Sequence, residues 1–287
     1  DGVYVKTVHD THFNLTFTDG KEHKVYVRPV VAENGTNVLI VNGVPIEYIY
    51  VSVNGNDANN GSKDSPVRTI ARAISLNTNG IYILDGTYSE YGLVISSDLK
   101  IVGQGNVIIG CVDYTMPIFN ITNNATVTFK GLRFTNITNS EIINGLNAKE
   151  VEIDNCEFYL NNQNTKSILI NVYNLIISNS NFTNNGVFKC IYTNYLAMDN
   201  CIFANNVVTE RKSSSAIDRG NLIYIALKDQ QAIISNTIFE NNSVNQGCIA
   251  LMVDDANYGL TVSRSIFTNN NGLDKGVCLY TNAVGNK

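Results

Sequence analysis

The acidic residues in the second half of the chain are the groups whose type and spacing could do chemistry. Enzymes that cleave polysaccharides use two carboxylates across a glycosidic bond, or carboxylates that hold calcium beside a base that removes a proton. No histidine follows His23, and neither Asp154 nor Asp199 has an adjacent second acid. Solvated corners are therefore the simpler interpretation, so we assign no catalytic residue, no metal site and no cofactor, with calcium left open. The low-ranking candidates for a ligand or metal are Asp154, Asp199, Asp218, Asp254 and Asp255.

A sequence pattern that recurs through this half of the chain must position these residues. Each copy is a short alternating apolar run that leads into a phenylalanine, as in Val151-Glu-Ile-Asp-Asn-Cys-Glu-Phe158. The phenylalanines are 24, 24, 21, 36 and 28 residues apart, which is the range of repeated structural turns rather than repeated domains. We predict that their rings stack in the core. The six residues are Phe134, Phe158, Phe182, Phe203, Phe239 and Phe267.

The content of each repeat predicts the fold class. Short strands bounded by turn residues fill the repeats, and no stretch has helical periodicity long enough for a helix-containing repeat. Two or three strands in each turn of roughly 21 to 28 residues predict an all-β fold, a parallel β-helix, whose turns stack about 4.8 Å apart. The spaced leucine signature of a leucine-rich repeat is absent.

One column of the aligned repeats is rich in asparagine, a residue that occurs 43 times in the chain. Asparagine tolerates left-handed corners, and its amide can bond to the backbone or to an identical amide one turn away. We predict an internal structural ladder of amides at one bend, with a ligand-binding row as the alternative. The members are Asn155, Asn179, Asn200 and Asn236.

Two further columns hold pairs that lie two turns apart. Asp154 and Asp199 share a column with Ser178 between them, so their separation of roughly 9 to 10 Å does not exclude an inverting carboxylate pair. Cys156 and Cys201 are separated in the same way, too far for a disulfide. We therefore predict that these two thiols are buried and free.

The chain divides by pattern into two parts. Residues 1–47 lack the repeat and are expected to form a small β-hairpin module or the tail of a preceding domain. Residues 48–287 are expected to form the β-helix, with an N-terminal cap at 50–90 and Asn-rich turns behind it, truncated at the C-terminus. In the cap, Ser65 and Pro66 are placed to begin a short amphipathic helix that covers the open end of the β-helix.

Three motifs in the cap carry a family resemblance. They are Val51-Ser-Val-Asn-Gly-Asn-Asp57, the segment from Gly61 to Ile74, and Ile81-Tyr-Ile-Leu-Asp-Gly-Thr-Tyr88. The pattern resembles the N-terminal cap of pectate-lyase-like right-handed parallel β-helix proteins and is especially similar to adhesin-like surface proteins of archaea and bacteria. The resemblance covers residues 50–287 and implies a right-handed helix with a capping helix. That fold serves enzymes and non-enzymes, and the Asp-rich signatures of its polygalacturonases and pectate lyases are not matched here.

Charge and hydropathy argue against nucleic acid as a partner and against a membrane-spanning segment. The net charge of −5 comes with no basic patch, which disfavours nucleic acid. No run of 18 apolar residues exists that could span a membrane.

A polar excursion at 209–216 is a candidate binding loop. Eight Asn-x-Ser/Thr sequons permit glycosylation.

We therefore expect a non-catalytic, extracellular, adhesin-like protein of the cell surface or cell wall. It would act as a rigid β-helical stalk or binding segment that contacts glycans or cell-surface proteins of another cell. A carbohydrate-active enzyme, either a polysaccharide lyase or a glycoside hydrolase, is the alternative, and a purely structural spacer is a third. Carboxylates clustered with lysine or arginine over one sheet would favour the enzyme.

Overall fold

The computed structural model describes residues 12–16, 22–31, 37–41, 48–113, 116–138, 141–161, 168–187, 189–208, 220–227, 230–245, 247–253, 258–272 and 278–283. Asp218, Asp254, Asp255 and the excursion at 209–216 lie outside the described residues. The chain forms two compact units, Asp1–Glu47 and Tyr48–Lys287. Within the first unit, β1 (His12–Thr16), β2 (Glu22–Val31) and β3 (Asn37–Val41) pair antiparallel in the order β1-β2-β3.

The second unit holds one helix among its described residues, α1 (Ile70–Ser75), and otherwise strands. The strands are β4 (Tyr48–Val51), β5 (Gly80–Tyr88), β6 (Leu93–Ile95), β7 (Leu99–Asp113), β8 (Phe119–Ile121), β9 (Thr126–Lys130), β10 (Arg133–Thr138), β11 (Ile143–Gly145), β12 (Glu150–Asp154), β13 (Glu157–Tyr159), β14 (Ile168–Ser178), β15 (Asn181–Thr183), β16 (Gly186–Val187), β17 (Lys189–Asp199), β18 (Ile202–Ala204), β19 (Val207–Val208), β20 (Asn221–Leu227), β21 (Ala232–Ser235), β22 (Ile238–Glu240), β23 (Ser243–Val244), β24 (Gly247–Val253), β25 (Leu260–Ser263), β26 (Ile266–Thr268), β27 (Asn271–Gly272) and β28 (Leu279–Ala283).

Parallel pairing between successive turns builds three long faces. The first sheet holds β4, the starts of β5 and β7, β9, β12, the ends of β14 and β17, β21 and β25. The second sheet holds the ends of β5 and β7, then β10, β13, β15, β18, β22 and β26. The third sheet holds β6, β8, β11, the starts of β14 and β17, β20, β24 and β28. This pairing confirms the predicted parallel β-helix.

The core contains a stack of phenylalanines because each turn repeats the register of the one before. Phe134 pairs with Phe158, and Phe158 pairs with Phe182. The structure brings all six predicted rings together, with successive ring centroids 4.7, 4.6, 4.5, 5.1 and 4.6 Å apart. Five of the rings are fully buried, and Phe267 is partly buried.

Two corners of each regular turn hold a residue in the left-handed region of backbone space. The first corner carries the asparagine column of the sequence, and the second follows the phenylalanine by two residues. Asparagine fits both because its short polar side chain tolerates this conformation. The first column is Gly131, Asn155, Asn179, Asn200, Asn236 and Arg264, and the second is Asn136, Leu160, Asn184, Asn205, Asn241 and Asn269, all with φ between 48° and 66°.

Leu160 is the one branched aliphatic residue among these corners, and replacing it should stabilise the protein. A left-handed residue other than glycine or asparagine costs roughly 1–2 kcal/mol, and the Leu160 side chain is 52% exposed, so it contributes little packing. We expect Leu160→Asn to raise the free energy of unfolding by about 0.5–1 kcal/mol in a denaturant titration. Leu146→Asn is the matched control, since Leu146 is similarly exposed but has an ordinary φ. An equal gain in both variants would contradict the strain argument.

The internal amide ladder exists, but the column that we predicted for it was wrong. The side chains of Asn155, Asn179, Asn200 and Asn236 are exposed, because the left-handed corner turns them toward solvent. Among them one amide-to-amide bond forms, from Asn200 Nδ2 to Asn179 Oδ1 at 2.8 Å. The internal ladder lies six residues further along each turn. Its members are Asn161, Asn185, Asn206, Asn242 and Asn270.

The inner amides of this ladder, those of Asn185, Asn206 and Asn242, repeat one set of partners. Asn206 Nδ2 donates to Asn242 Oδ1 at 2.9 Å and to the Phe182 carbonyl at 2.8 Å. Asn206 Oδ1 accepts from the Asn185 backbone N–H at 3.1 Å and from Asn185 Nδ2 at 3.0 Å. Four members of the ladder are fully or almost fully buried, namely Asn161, Asn185, Asn206 and Asn242. The ladder therefore pairs polar groups that would otherwise be orphaned in the interior.

The capping helix is present but begins later than the sequence predicts. Ser65 is not its N-cap, because Val67 lies in a parallel bridge with Val51 that keeps this segment extended. Thr69 caps α1 instead, with its hydroxyl oxygen accepting from the Arg72 N–H. The Glu90 carboxylate accepts from the N–H groups of Ile70 and Ala71, the first two residues of the helix, at 2.8 and 2.9 Å. Burial raises the pKa of the Glu90 carboxyl.

Candidate functional site

Three tyrosines form an aromatic platform, the tyrosine platform, on the outward face of the first sheet, at its first two strands, β4 and β5. Tyr48 and Tyr50 on β4 and Tyr82 on β5 alternate with buried or partly buried aliphatic residues that pack in the core, so their rings point outward. The rings of Tyr48 and Tyr82 stack with centroids 3.7 Å apart, and Tyr50 lies 5.3 Å from Tyr82. Gly80 pairs with Tyr48 and has no side chain, which leaves room for this close approach. Burial, with the neighbouring Tyr82, raises the pKa of Tyr48 to about 12.

A charged cleft continues the same face on the next turns. It encloses about 340 Å³, and its floor is the outward surface of β7, β9, β12 and β14. Lys100 follows Gly80 in the pairing register, and Lys130 is two turns from Tyr82. The cleft is lined by Lys100, Thr128, Lys130, Glu152, Ile153, Asp154, Ile176 and Ser178. The tyrosine platform and the charged cleft form one strip that extends about 24 Å along the helix axis.

Asp154 is held at the centre of the cleft by three partners. Lys130 Nζ lies 2.7 Å from Asp154 Oδ2. The Ser178 hydroxyl and the Asn179 amide both donate to Asp154 Oδ1, at 3.0 and 2.8 Å. These contacts, led by the Lys130 hydrogen bond, lower the pKa of Asp154, and the same bond raises the pKa of Lys130. Both groups are therefore charged at neutral pH.

The remaining polar groups of the cleft have fewer partners. Glu152 Oε2 accepts from the Thr128 hydroxyl at 3.1 Å. Lys100 has no ion-pair partner among the side chains that the structure describes. The cleft thus offers one unpaired ammonium group and two carboxylates beside an aromatic surface.

The candidates Asp154 and Asp199, a pair that sequence spacing did not exclude, have separate sets of partners. Asp154 pairs with Ser178, and Ser178 pairs with Asp199, so the two aspartates lie two turns apart, as the register predicts. Asp199 Oδ1 instead accepts from the Ser235 hydroxyl and the Asn236 amide, both at 2.6 Å. The Ser235 bond leads the causes that lower the pKa of Asp199. Each aspartate is thus bound by a serine–asparagine pair of the following turn.

The carboxylates that do share a site are Glu152 and Asp154. They are two residues apart on β12 and face the same side, which places them about 7 Å apart along the strand. That separation lies near the lower limit for an inverting glycosidase. A general acid needs a raised pKa, whereas Lys130 lowers the pKa of Asp154.

Sequence reasoning missed the lysines and tyrosines of this strip. They lie on four successive strands, β4, β5, β7 and β9, and no repeated column of the sequence marks them. The useful signal was the alternation in Tyr48-Ile-Tyr50 and Ile81-Tyr-Ile83, which puts tyrosines outside whenever the isoleucines are inside.

Neither a cluster of potential metal ligands nor a membrane-spanning helix occurs among the described residues. They include no group of three or more His, Cys, Asp or Glu side chains that could hold a metal ion. Of the candidates for calcium, Asp218, Asp254 and Asp255 lie outside this part of the chain. No helix in the described ranges is long and apolar enough to cross a membrane.

The buried cysteines have the state that the sequence predicts. Cys156 and Cys201 are buried and free, with Ser180 between them in the stack. Burial raises the pKa of each thiol to about 12. These thiols are therefore protonated core groups.

One protein family matches most of the chain. The model of a family described as "Protein of unknown function (DUF1565)" matches residues 53–286. That range includes the charged cleft and Tyr82 of the tyrosine platform. A search of curated proteins finds no match.

Several solved structures are similar in part. A rhamnogalacturonan lyase has 12% identity and a TM-score of 0.37, covering 80% of this chain and 62% of its own. The pectate lyase Pel9A has 13% identity and a TM-score of 0.39, covering 78% of each chain. The PL6 family alginate lyase AlyGC has 14% identity and a TM-score of 0.41, covering 94% of this chain and 48% of its own. The chain thus spans less than two thirds of two of these proteins, and no activity follows from them.

Proposed function

The chain belongs to the DUF1565 family, and we propose that its β-helical unit binds glycans without cleaving them, as an adhesin-like protein of the cell surface or cell wall. The observation that carries this proposal is the strip on the first sheet, where the tyrosine platform adjoins the charged cleft. Aromatic rings offer flat apolar surface, while charged and hydroxyl groups fix the orientation of a polar ligand.

The shape of the strip favours a chain-like ligand. Its groups follow the helix axis over six successive strands, from Tyr50 on β4 to Ser178 on β14. Sugar hydroxyls can donate to Glu152 and accept from Lys100, and a sugar ring can lie on Tyr82. Partners of this chemistry occur on the surfaces of other cells and in cell walls. We place the protein outside the cell for that reason.

The charge states favour binding over cleavage. A lysine that removes a proton must be neutral, but Asp154 raises the pKa of Lys130. A carboxyl that protonates a leaving group must hold a proton, but Lys130 lowers the pKa of Asp154. Each half of this ion pair thus keeps the other in the wrong state for acid–base catalysis.

Glycan binding should depend on the strip in a measurable way. A glycan-array screen of the purified chain, with and without calcium, identifies a ligand, and titration calorimetry gives its affinity. We expect Tyr82→Ala and Lys100→Ala each to weaken binding about tenfold, because each removes an interaction of roughly 1–2 kcal/mol. Lys63→Ala is the matched control, since Lys63 is exposed and lies outside the strip.

Three outcomes of this experiment decide between the functions. Binding that weakens in both strip variants and not in the control supports the proposal. Unchanged binding in both strip variants would show that the glycan binds elsewhere on the chain. If no glycan binds, the structural spacer is the remaining account.

Cleavage is the second candidate function, and one observation favours it. Carboxylates beside lysines over one sheet are the arrangement that we expected of an enzyme, and Glu152, Asp154 and Lys130 provide it. Every glycan that binds is therefore assayed for new reducing ends and for unsaturated products. Cleavage that disappears in Glu152→Gln or Asp154→Asn would replace the binding proposal with a carbohydrate-active enzyme.

A further inference from the structure

Two cysteines occupy adjacent positions in successive turns of the third sheet. Ile249 pairs with Leu279 in parallel register, and the Ile249 N–H donates to the Cys278 carbonyl at 3.1 Å. Cys248 and Cys278 are the residues directly before this pair. Neighbouring positions in successive turns are about 4.8 Å apart, which lies inside the Cα separation that a disulfide spans.

The two thiols differ in their access to solvent. Cys278 is exposed, whereas Cys248 is buried, and neither is in a disulfide here. Burial raises the pKa of Cys248 to about 12, and the nearby Cys278 adds to this rise. An incoming reagent therefore meets Cys278 first.

A third cysteine in the same column, Cys190, is too far from Cys248 to pair with it. Ile191 pairs with Ile223, and Ile223 pairs with Ile249, so Cys190 lies two turns from Cys248 with Leu222 between them. That separation of roughly 10 Å is too large for a disulfide. Within the described turns of this column, Cys248 and Cys278 are the one pair of cysteines in neighbouring turns.

We propose that Cys248 and Cys278 are a redox-active thiol pair, which a low-molecular-weight disulfide such as oxidised glutathione converts into a covalent clamp between two turns. The Cys278 thiolate attacks one sulfur of the reagent, its disulfide bond breaks, and one reduced glutathione leaves. Cys248 then loses its proton and attacks the Cys278 sulfur of the mixed disulfide, releasing the second glutathione. The protein loses two electrons and two protons, and the reagent gains them as two thiols.

The clamp closes a loop of about 30 residues, and a cross-link of this size stabilises the folded state by restricting the unfolded chain. We expect it to raise the melting temperature of the oxidised protein by about 5–10 °C. The proposal is independent of glycan binding, because these residues lie on the third sheet and the strip lies on the first.

The test uses the full chain, reduced, freed of reductant and incubated folded with oxidised glutathione at mildly alkaline pH. Non-reducing peptide mapping by mass spectrometry should show one peptide that joins Cys248 to Cys278, with no glutathione retained at either. The variant Cys278→Ser should lose this peptide and the rise in melting temperature, and Cys190→Ser should keep both.

The variant Cys248→Ser separates the two steps of the reaction. It should accumulate glutathione on Cys278, because the second thiol is absent. Wild-type protein that also stops at the mixed disulfide, or that joins Cys278 to a different cysteine, overturns the proposal.

Discussion

Asn206→Ala should reduce the free energy of unfolding by about 3–5 kcal/mol. The substitution leaves the backbone N–H and one amide hydrogen of Asn185 without an acceptor, and it removes a donor from the Phe182 carbonyl. All these groups lie in a region closed to water, since Asn206 and Asn185 are 0% and 1% exposed. Each orphaned buried group costs about 1–3 kcal/mol. Chemical denaturation followed by circular dichroism measures the loss.

The preceding residue supplies the control for this experiment. Asn205 occupies the exposed left-handed corner with φ 56°, where glycine fits equally well. Asn205→Gly should therefore change the free energy of unfolding by less than about 0.5 kcal/mol. If Asn206→Ala costs no more than Asn205→Gly, the ladder contributes little to stability and our account of it is wrong.

Phe203→Ala should reduce the free energy of unfolding by a similar amount, about 3–5 kcal/mol. The ring is fully buried between Phe182 at 4.5 Å and Phe239 at 5.1 Å. Removing it leaves a cavity between two rings that the backbone register holds in place, so the walls cannot collapse. Phe203→Leu fills most of this volume and should cost about 1–1.5 kcal/mol.

Phe267 tests the same idea at a position with less packing. Its ring stacks on Phe239 at 4.6 Å and is only partly buried. We expect Phe267→Ala to cost roughly half as much as Phe203→Ala in the same denaturation experiment. Equal losses at the two positions would show that ring burial does not set the energy.

The sequence predicts the repeat and its core because these depend on residues at fixed spacing. Each of the six core phenylalanines pairs with its counterpart in a neighbouring turn, so the recurring pattern places all six rings. The sequence does not show which asparagines face inward, since two corner columns and the internal ladder share one residue type. The doublets Asn184-Asn185, Asn205-Asn206 and Asn241-Asn242 contain the distinction, with an exposed corner first and a buried amide second.

Long-range pairing explains the other differences. Ser65 and Pro66 form a good local start for a helix, but the bridge between Val51 and Val67 keeps the chain extended until Thr69. The charged cleft joins Lys100, Lys130 and Asp154, which come from three separate turns. No local pattern links them, and only the stacking register brings them together.

The ladder asparagines bond only to the turn on either side, and the turns between successive phenylalanines range from 21 to 36 residues. A genetic duplication that copies one whole turn would therefore supply its own amide, its own ring and its own corners, and it would join the stack without any compensating change. A deletion of a single residue between the phenylalanine and its asparagine would displace the amide and break its hydrogen bonds to the turns on both sides. Recombination can thus change the length of such a protein far more easily than point deletion can change the register within a turn.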